Sequence, residues 1–241
     1  MAIAEDNTPG AHSDRQPDVL PGLLRGYRFS VCEGPAAAGR ALEVRRQVYG
    51  NIGYDVRIPD RYDDRSWTLV AEDTATGQAV GTMRVTPRFA GPLEAEEYFD
   101  LPRRFRTGLA FELNRFAILP AYRKGSTFLP VVSLGLFKLV HDLLDALDAR
   151  YMVIASKPER VWTYQWMRFR STGLTASYGR LGGAMHELLT YDMRRAPEIL
   201  EGHPFREFFV SARYDEVELP RRLPALGILP EETPLRVAVG A

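Results

Sequence analysis

A single cysteine in 241 residues, Cys32, rules out an internal disulfide, and four widely spaced histidines (His12, His141, His186, His203) form no metal-ligand cluster. Excess charge is missing as well. Lys+Arg and Asp+Glu both number 31, so no global field draws the chain to nucleic acid or to an anionic membrane. No apolar run reaches the ~18 residues that a membrane span needs; the longest apolar helical pattern is interrupted by Lys138, His141 and Asp142. The N-terminal stretch MAIAEDNTPGAHSDRQPD has acids and prolines where a secretion signal would carry a basic region and an apolar core. These absences predict a cytoplasmic protein with no integral membrane segment, no nucleic-acid partner and no metal, with a disordered tail over residues 1–25. No internal repeat is visible.

What remains is ordinary globular material, 45% hydrophobic and 26% charged. Residues 27–32 (YRFSVC) alternate as a first strand. Residues 36–49 follow as a helix, with Ala38, Leu42, Val44 and Val48 on one side and Arg40, Arg45 and Arg46 projecting elsewhere. Residues 51–65 lack a period and are rich in Asp, Arg and Tyr, residue types that position polar ligands. The clearest hairpin pairs 66–71 (SWTLVA) with 79–86 (AVGTMRVT). Residues 87–107 then connect, with one or two helical turns at 93–98.

The chain is organised around residues 108–130 (GLAFELNRFAILPAYRKGSTFLP). They read as a strand stopped by Pro120, a basic Gly-containing turn over 121–126, and the start of a helix running from 126 or 127 to 149. Its apolar face holds Leu129, Val132, Leu136, Leu143 and Leu147, while Lys138, Asp142, Asp145 and Asp148 mark a wet side. Strand, basic turn and helix N-terminus together make an anion site, so a phosphate-bearing ligand is expected. Residues 151–155 read as a buried strand and 159–170 as a helix closed at Gly173. Residues 174–178 and 186–193 are two further strands about Gly182-Gly183, and 203–210 a last helix. This order predicts an α/β (α+β) mixed, twisted central sheet with helices on both faces.

At Leu119-Pro120-Ala121-Tyr122-Arg123-Lys124-Gly125 the sequence resembles the acyl-CoA-binding segment of GNAT acyltransferases. Upstream residues narrow the resemblance: Arg45-Arg46-Gln47-Val48-Tyr49, Gly53-Tyr54, Asp60-x-Tyr62-Asp63, Gly81-Thr82-Met83-Arg84 and Glu112-Leu113-Asn114-Arg115. That succession is similar to the acyl-homoserine-lactone synthases and, more closely, to the N-acyl amino acid synthases. The resemblance covers roughly residues 27–193. It implies a GNAT-like domain over 26–195, with residues 196–241 as an extension packed on it. It also implies an N-acyltransferase that moves a medium or long fatty acyl group to the amine of an amino acid or similar small acceptor. The acyl-phosphopantetheine of acyl carrier protein, or acyl-CoA, would be the co-substrate, with no tightly bound cofactor. An acyl-homoserine-lactone synthase using S-adenosylmethionine, and a non-catalytic acyl-binding protein of the same fold, are the alternatives.

Two departures from the family pattern bear on chemistry. The turn is poor in glycine, which suits the single phosphate of phosphopantetheine. Where the family carries a tyrosine four residues before the closing glycine, this chain has Phe169, with Tyr164 earlier on the expected helix. Amide formation from a thioester needs a base for the amine and donors for the developing oxyanion. Glu112 is the candidate base, with Arg115 beside it; its structural alternative is an ion pair with Arg115 or Arg84. Backbone N–H groups around Phe116, Ala117 and Ile118 are the candidate oxyanion donors. Ile118, Arg123, Lys124, Gly125 and Ser126 would hold the phosphopantetheine, and Arg45, Asp60, Asp63 and Arg84 the acceptor. Arg103, Arg104, Arg106, Arg168 and Arg170 form a second basic set that would suit an acidic carrier protein. Trp162, Trp166 and Phe169 are expected on one helix side, His186 as a satisfied sheet residue, and Cys32 as simply buried.

Overall fold

The computed structural model describes residues 22–51, 58–123, 129–179 and 182–226, together with the backbone of 233–234. Most of the expected tail, the Gly53-Tyr54 pair and the turn residues Lys124, Gly125 and Ser126 lie outside them. The chain begins with β1 (Tyr27–Val31) and α1 (Gly34–Gly50), passes through the hairpin β2 (Trp67–Asp73) and β3 (Ala79–Pro87), and reaches β4 (Ala110–Ile118). Then come α2 (Val131–Ala146), β5 (Tyr151–Ser156), α3 (Pro158–Trp166), β6 (Arg170–Tyr178) and β7 (Ala184–Asp192). Short elements complete it: α4 (Ala196–Ile199), α5 (Arg206–Val210), β8 (Val217–Glu218), β9 (Arg222–Leu223) and β10 (Thr233–Pro234). Eight strands form one mixed sheet in the order β6-β7-β5-β4-β3-β2-β1-β8, with β9 and β10 as a separate ladder. Only β4–β5 and β1–β8 run parallel.

Alternation along the central strands gives the sheet two unlike faces. Leu69, Met83, Val85, Phe111 and Leu113 pack with Val132, Leu136, Leu139 and Val140 of α2 in the main core. Helix α2 lies flush with the sheet. A Cβ on Gly135 would stand 2.1 Å from the Phe29 ring, and one on Gly81 would stand 2.6 Å from Val132 Cγ1. The opposite face carries Thr82, Arg84, Thr86 and Glu112, all buried, with α1 covering its apolar part through Ala41, Val44 and Val48. The C-terminal segment joins the α2 side: Leu200, Phe208, Phe209, Leu223 and Leu226 belong to the main core, and Trp67 Nε1 donates to Pro224 O at 3.0 Å. Among the described residues no helix is long and apolar enough to cross a membrane.

The structure corrects several local expectations. Arg45 is not on an outer side of α1; it is 1% exposed beside Val44 and Val48. Helix α2 starts after Pro130 rather than at 126 or 127, because proline fits helix entry but not the following turn. Lys138 and Asp142 are not its wet side. Both are buried, joined at 2.6 Å, with Arg213 from the C-terminal segment 3.2 Å from the same carboxylate oxygen. Helix α3 ends at Trp166, and Arg168 (φ +68) turns the chain into β6, so Phe169 is a buried residue outside the helix while Trp162 is 48% exposed. His186 is buried with Nδ1 2.9 Å from Ala184 O, and burial pushes the Cys32 thiol up to about 12.

Candidate active site

Strand β4 is bonded on its two sides over different lengths. Against β3 it pairs along its whole span, with a register shift between Thr82 and Arg84 opposite Arg115 and Phe116. Against β5 it pairs only at Ala110, Phe111 and Glu112. Beyond Glu112 the two parallel strands part, and the β5 side of β4 has no strand partner among the described residues. Glu112 is therefore the residue at the vertex of the opening. The bulge is accompanied by Arg115 at φ +53, an uncommon conformation for a side chain of that size.

The backbone beyond the vertex lines the opening. Tyr49 Oη donates to Phe116 O at 3.4 Å, and Arg123 Nε donates to Ile118 O at 2.8 Å. Ala117 sits opposite Thr82 of β3, and the Leu119 N–H donates to Val80 O at 2.9 Å. Arg123, just after the Pro120–Tyr122 turn, is thus tethered to the end of β4 with an exposed side chain. Tyr164 of α3 packs edge-on against Phe137 and Phe169, and burial pushes its hydroxyl up to about 12, so it holds its proton at neutral pH.

On the Glu112 face lies a long-range charge network. Asp60 accepts from Arg84 Nη1 at 2.5 Å and from Arg115 Nε and Nη2 at 2.9 and 2.7 Å. Glu94 accepts from Arg84 Nη2 at 2.6 Å, Arg115 Nη2 at 2.8 Å and Asn114 Nδ2 at 3.1 Å. Arg84 Nε donates to Asn114 Oδ1 at 2.7 Å, so each of its nitrogens has a protein acceptor. Asp63 accepts from Arg45 Nη1 at 2.6 Å and from the Asp60 N–H at 2.7 Å. Burial notwithstanding, Arg84 and Arg115 hold the Asp60 carboxyl below its usual range; likewise Glu94 and Asp60 raise Arg115 against the effect of burial. Arg45, Asp60, Asp63, Arg84 and Arg115 are brought together as the sequence pattern predicts. Their charges are paired with one another and with Glu94, in the geometry of a scaffold rather than of a free ligand surface, although Arg45 Nε is buried without a hydrogen-bond partner among the described residues.

Glu112 is the exception. It is 1% exposed and takes part in no ion pair with either Arg84 or Arg115 among the described residues; instead it accepts the Ala95 N–H at 3.1 and 3.2 Å. Burial and the neighbouring Glu94 charge push it up to about 7, against the opposing pull of Arg84 and the Ala95 N–H. Such a carboxyl takes and gives a proton near neutral pH, the property of a general base.

Sequence reasoning missed Glu94 and Tyr178. Glu94 lies in a 3-10 turn (Glu94–Glu97) inside a proline-flanked connection with no period to mark its buried side. Its one visible signal was the short helical turn expected at 93–98. Tyr178 ends β6, stacks on Tyr98 at 3.9 Å, and has a buried hydroxyl with no hydrogen-bond partner among the described residues; burial, then the nearby Glu112 and Glu94 charges, push it above its usual range. Nothing in the sequence distinguishes it from a core tyrosine.

This geometry can be set beside known proteins. The family model for N-acyl amino acid synthase FeeM matches residues 40–192. Among solved structures, FeeM, an N-acyl amino acid synthase from uncultured soil microbes, gives a TM-score of 0.64 at 17% identity, over 76% of this chain and 96% of that one. BjaI, a CoA-dependent acyl-homoserine lactone synthase solved with MTA, gives 0.60 at 18% identity, over 80% and 97%. The acyl-homoserine-lactone synthase LasI gives 0.53 at 18% identity, over 69% and 89%. No curated protein sequence matches the chain. The structural likenesses carry the fold, a GNAT-like mixed sheet. With the family model spanning more than half of its length, the chain belongs to the N-acyl amino acid synthase FeeM family and is an N-acyltransferase.

Proposed function

We propose that the protein transfers a medium or long fatty acyl group from the phosphopantetheine of acyl carrier protein, or from coenzyme A, to the amine of an amino acid. The observation that carries this reading is Glu112: a buried carboxyl without an ion-pair partner, raised to about 7, at the last paired position before β4 and β5 part. In its ionised form Glu112 removes a proton from the acceptor ammonium, directly or through one water. The neutral nitrogen attacks the thioester carbonyl carbon, the carbonyl oxygen takes up negative charge, and N–H groups of Phe116 and Ile118 along the opening stabilise it. Collapse breaks the C–S bond; the thiolate leaves with the electron pair and is protonated as the amide forms.

Arg45, Asp60, Asp63, Arg84 and Glu94 hold Arg115 and the strand in place around that base. Arg123, tethered to Ile118 O, and its neighbours Lys124, Gly125 and Ser126 would take the phosphate of the carrier arm. Purified protein with acyl carrier proteins of graded chain length, or the matching acyl-CoAs, and a mixture of amino acids is expected to yield N-acyl amino acids by mass spectrometry. No amide with any donor would sink the reading. A product only with S-adenosylmethionine would turn it into lactone synthesis.

A further inference from the structure

On the Glu112 face, away from the α2 core, lies an open cavity of about 310 Å³ walled by Arg61, Tyr62, Arg65, Pro92, Leu93, Glu96 and Glu97. That volume is at the lower end of small-molecule sites, ~300–1,000 Å³. Its charged groups are not equally satisfied. Arg61 is ion-paired with Glu97, and Glu96 is paired with Arg88 while accepting the Leu93 N–H at 2.9 Å. Arg65 makes no ion pair among the described residues.

The Arg65 guanidinium is nonetheless held in one place. It lies 4.6 Å over the Tyr62 ring, and Nη2 donates to Pro92 O at 2.5 Å. Nη1 passes so close to Gly91 that a Cβ there would stand 2.2 Å away, and Gly91 has φ +127, a backbone that favours glycine. Held cationic groups surround it: Arg61 and Arg84 also lie over the Tyr62 ring. An arginine fixed on one edge, lining a cavity and without a carboxylate of its own among the described residues, is built to receive a planar anion.

The cavity also borders the segments that hold the base, which is itself buried outside the cavity's lining. Leu93 in its wall is two residues from Ala95, whose N–H bonds Glu112. Ser66, next to Arg65, bonds Thr86 at 2.7 Å, and Thr86 is the cross-strand partner of Glu112. A small molecule with its carboxylate on Arg65 would direct its other end toward the vertex.

We infer that Arg65 binds the α-carboxylate of the acceptor amino acid, so that the cavity between residues 61–65 and 91–97 is the acceptor site. This rests on the acyltransferase reading above and names the recognition element that the reading leaves open. The test compares each of the twenty amino acids with the amine left when its carboxylate is removed, both as acceptors for one acyl donor. The wild type, Arg65→Gln and Arg65→Lys are assayed. The wild type should prefer the best amino acid over its amine by on the order of 10–100-fold in kcat/KM. Arg65→Gln should lose that preference by slowing on the amino acid alone, and Arg65→Lys should keep part of it.

The two acceptors are compared on one preparation, so a partly unfolded variant does not distort the ratio; if Arg65→Gln does not fold, Arg65→Lys decides. A preference kept in the variants, or an equal loss on both acceptors, overturns the role of Arg65. So does a wild type that takes amines as readily as amino acids, and in these cases the acyltransferase reading stands. A wild type that acylates neither the amino acids nor their amines removes both.

Discussion

Two groups of buried charges lie on opposite faces of one sheet, and they differ in how they are balanced. On the α2 side, Lys138 and Asp142 are one helical turn apart, bonded at 2.6 Å and capped by Arg213. Every charge there has a partner within reach, and the group closes the C-terminal segment onto the core. On the other face, Arg45, Arg84 and Arg115 meet Asp60, Asp63 and Glu94 from segments up to 55 residues apart in sequence. Those six also pair their charges with one another, but a seventh group, Glu112, sits beside them without a cation of its own among the described residues. A complete set of buried charges holds a fold; a set with one carboxyl in excess holds a proton that can be moved.

The sharpest way to break this contrast is to neutralise the extra carboxyl. Glu112→Gln should lower kcat by roughly 10²–10⁴-fold, as loss of a general base does. For the wild type, kcat/KM should rise with pH and level off above about 7. The same substitution should stabilise. The folded-state pKa of Glu112 lies above its unfolded value of 4.5, so the folded protein binds the proton more tightly, and stability falls as pH climbs from about 4.5 to about 7. Melting curves should therefore favour the variant at pH 8, by on the order of 3 kcal/mol, and converge at low pH. A base-free variant with full turnover would end the proposal.

Breaking the balanced part should cost fold as well as rate. Glu94→Gln withdraws a carboxylate from both Arg84 and Arg115, and removing one partner of buried ions destabilises by roughly 3 kcal/mol. It also removes the charge that helps to raise Glu112, so the rising limb of the pH–rate profile should move to lower pH. An unmoved limb would separate the two carboxyls.

On the other face, Lys138→Met leaves Asp142 with Arg213 alone, and a loss of roughly 1–3 kcal/mol is expected in denaturant unfolding. Turnover per folded molecule should not change there. Least of all, Arg46→Ala removes an exposed i,i+3 contact with Glu43 and should alter stability by about 0–0.5 kcal/mol.

How much of this could be read beforehand follows the reach of each signal. The hairpin β2–β3 and the strands β4, β5 and β7 carry their apolar periods locally and were legible. The meeting of Asp60, Arg84 and Arg115 was legible only through the order of residues that resembles a family, since the partners lie far apart in sequence. Lys138 and Asp142 misled because a charged residue at helical spacing normally faces water; only the arrival of the C-terminal segment buries them. Glu94 was hidden for the opposite reason, a short 3-10 turn having too few residues to show which side is covered. Phe169 was assigned to a helix that ends three residues earlier, where Arg168 takes a positive φ that no pattern announces.

Arg115 stands in the left-handed region, where glycine or asparagine would rest more comfortably, yet from that spot its guanidinium forms, beside Arg84, the second bridge between Asp60 and Glu94. The residue types that would relax the backbone are those that would empty the network, and those that would mimic the side chain inherit the backbone strain. A stabilising design, sought by the usual exchange of left-handed residues for glycine, would be a trap here: it would yield a calmer strand and a scattered site.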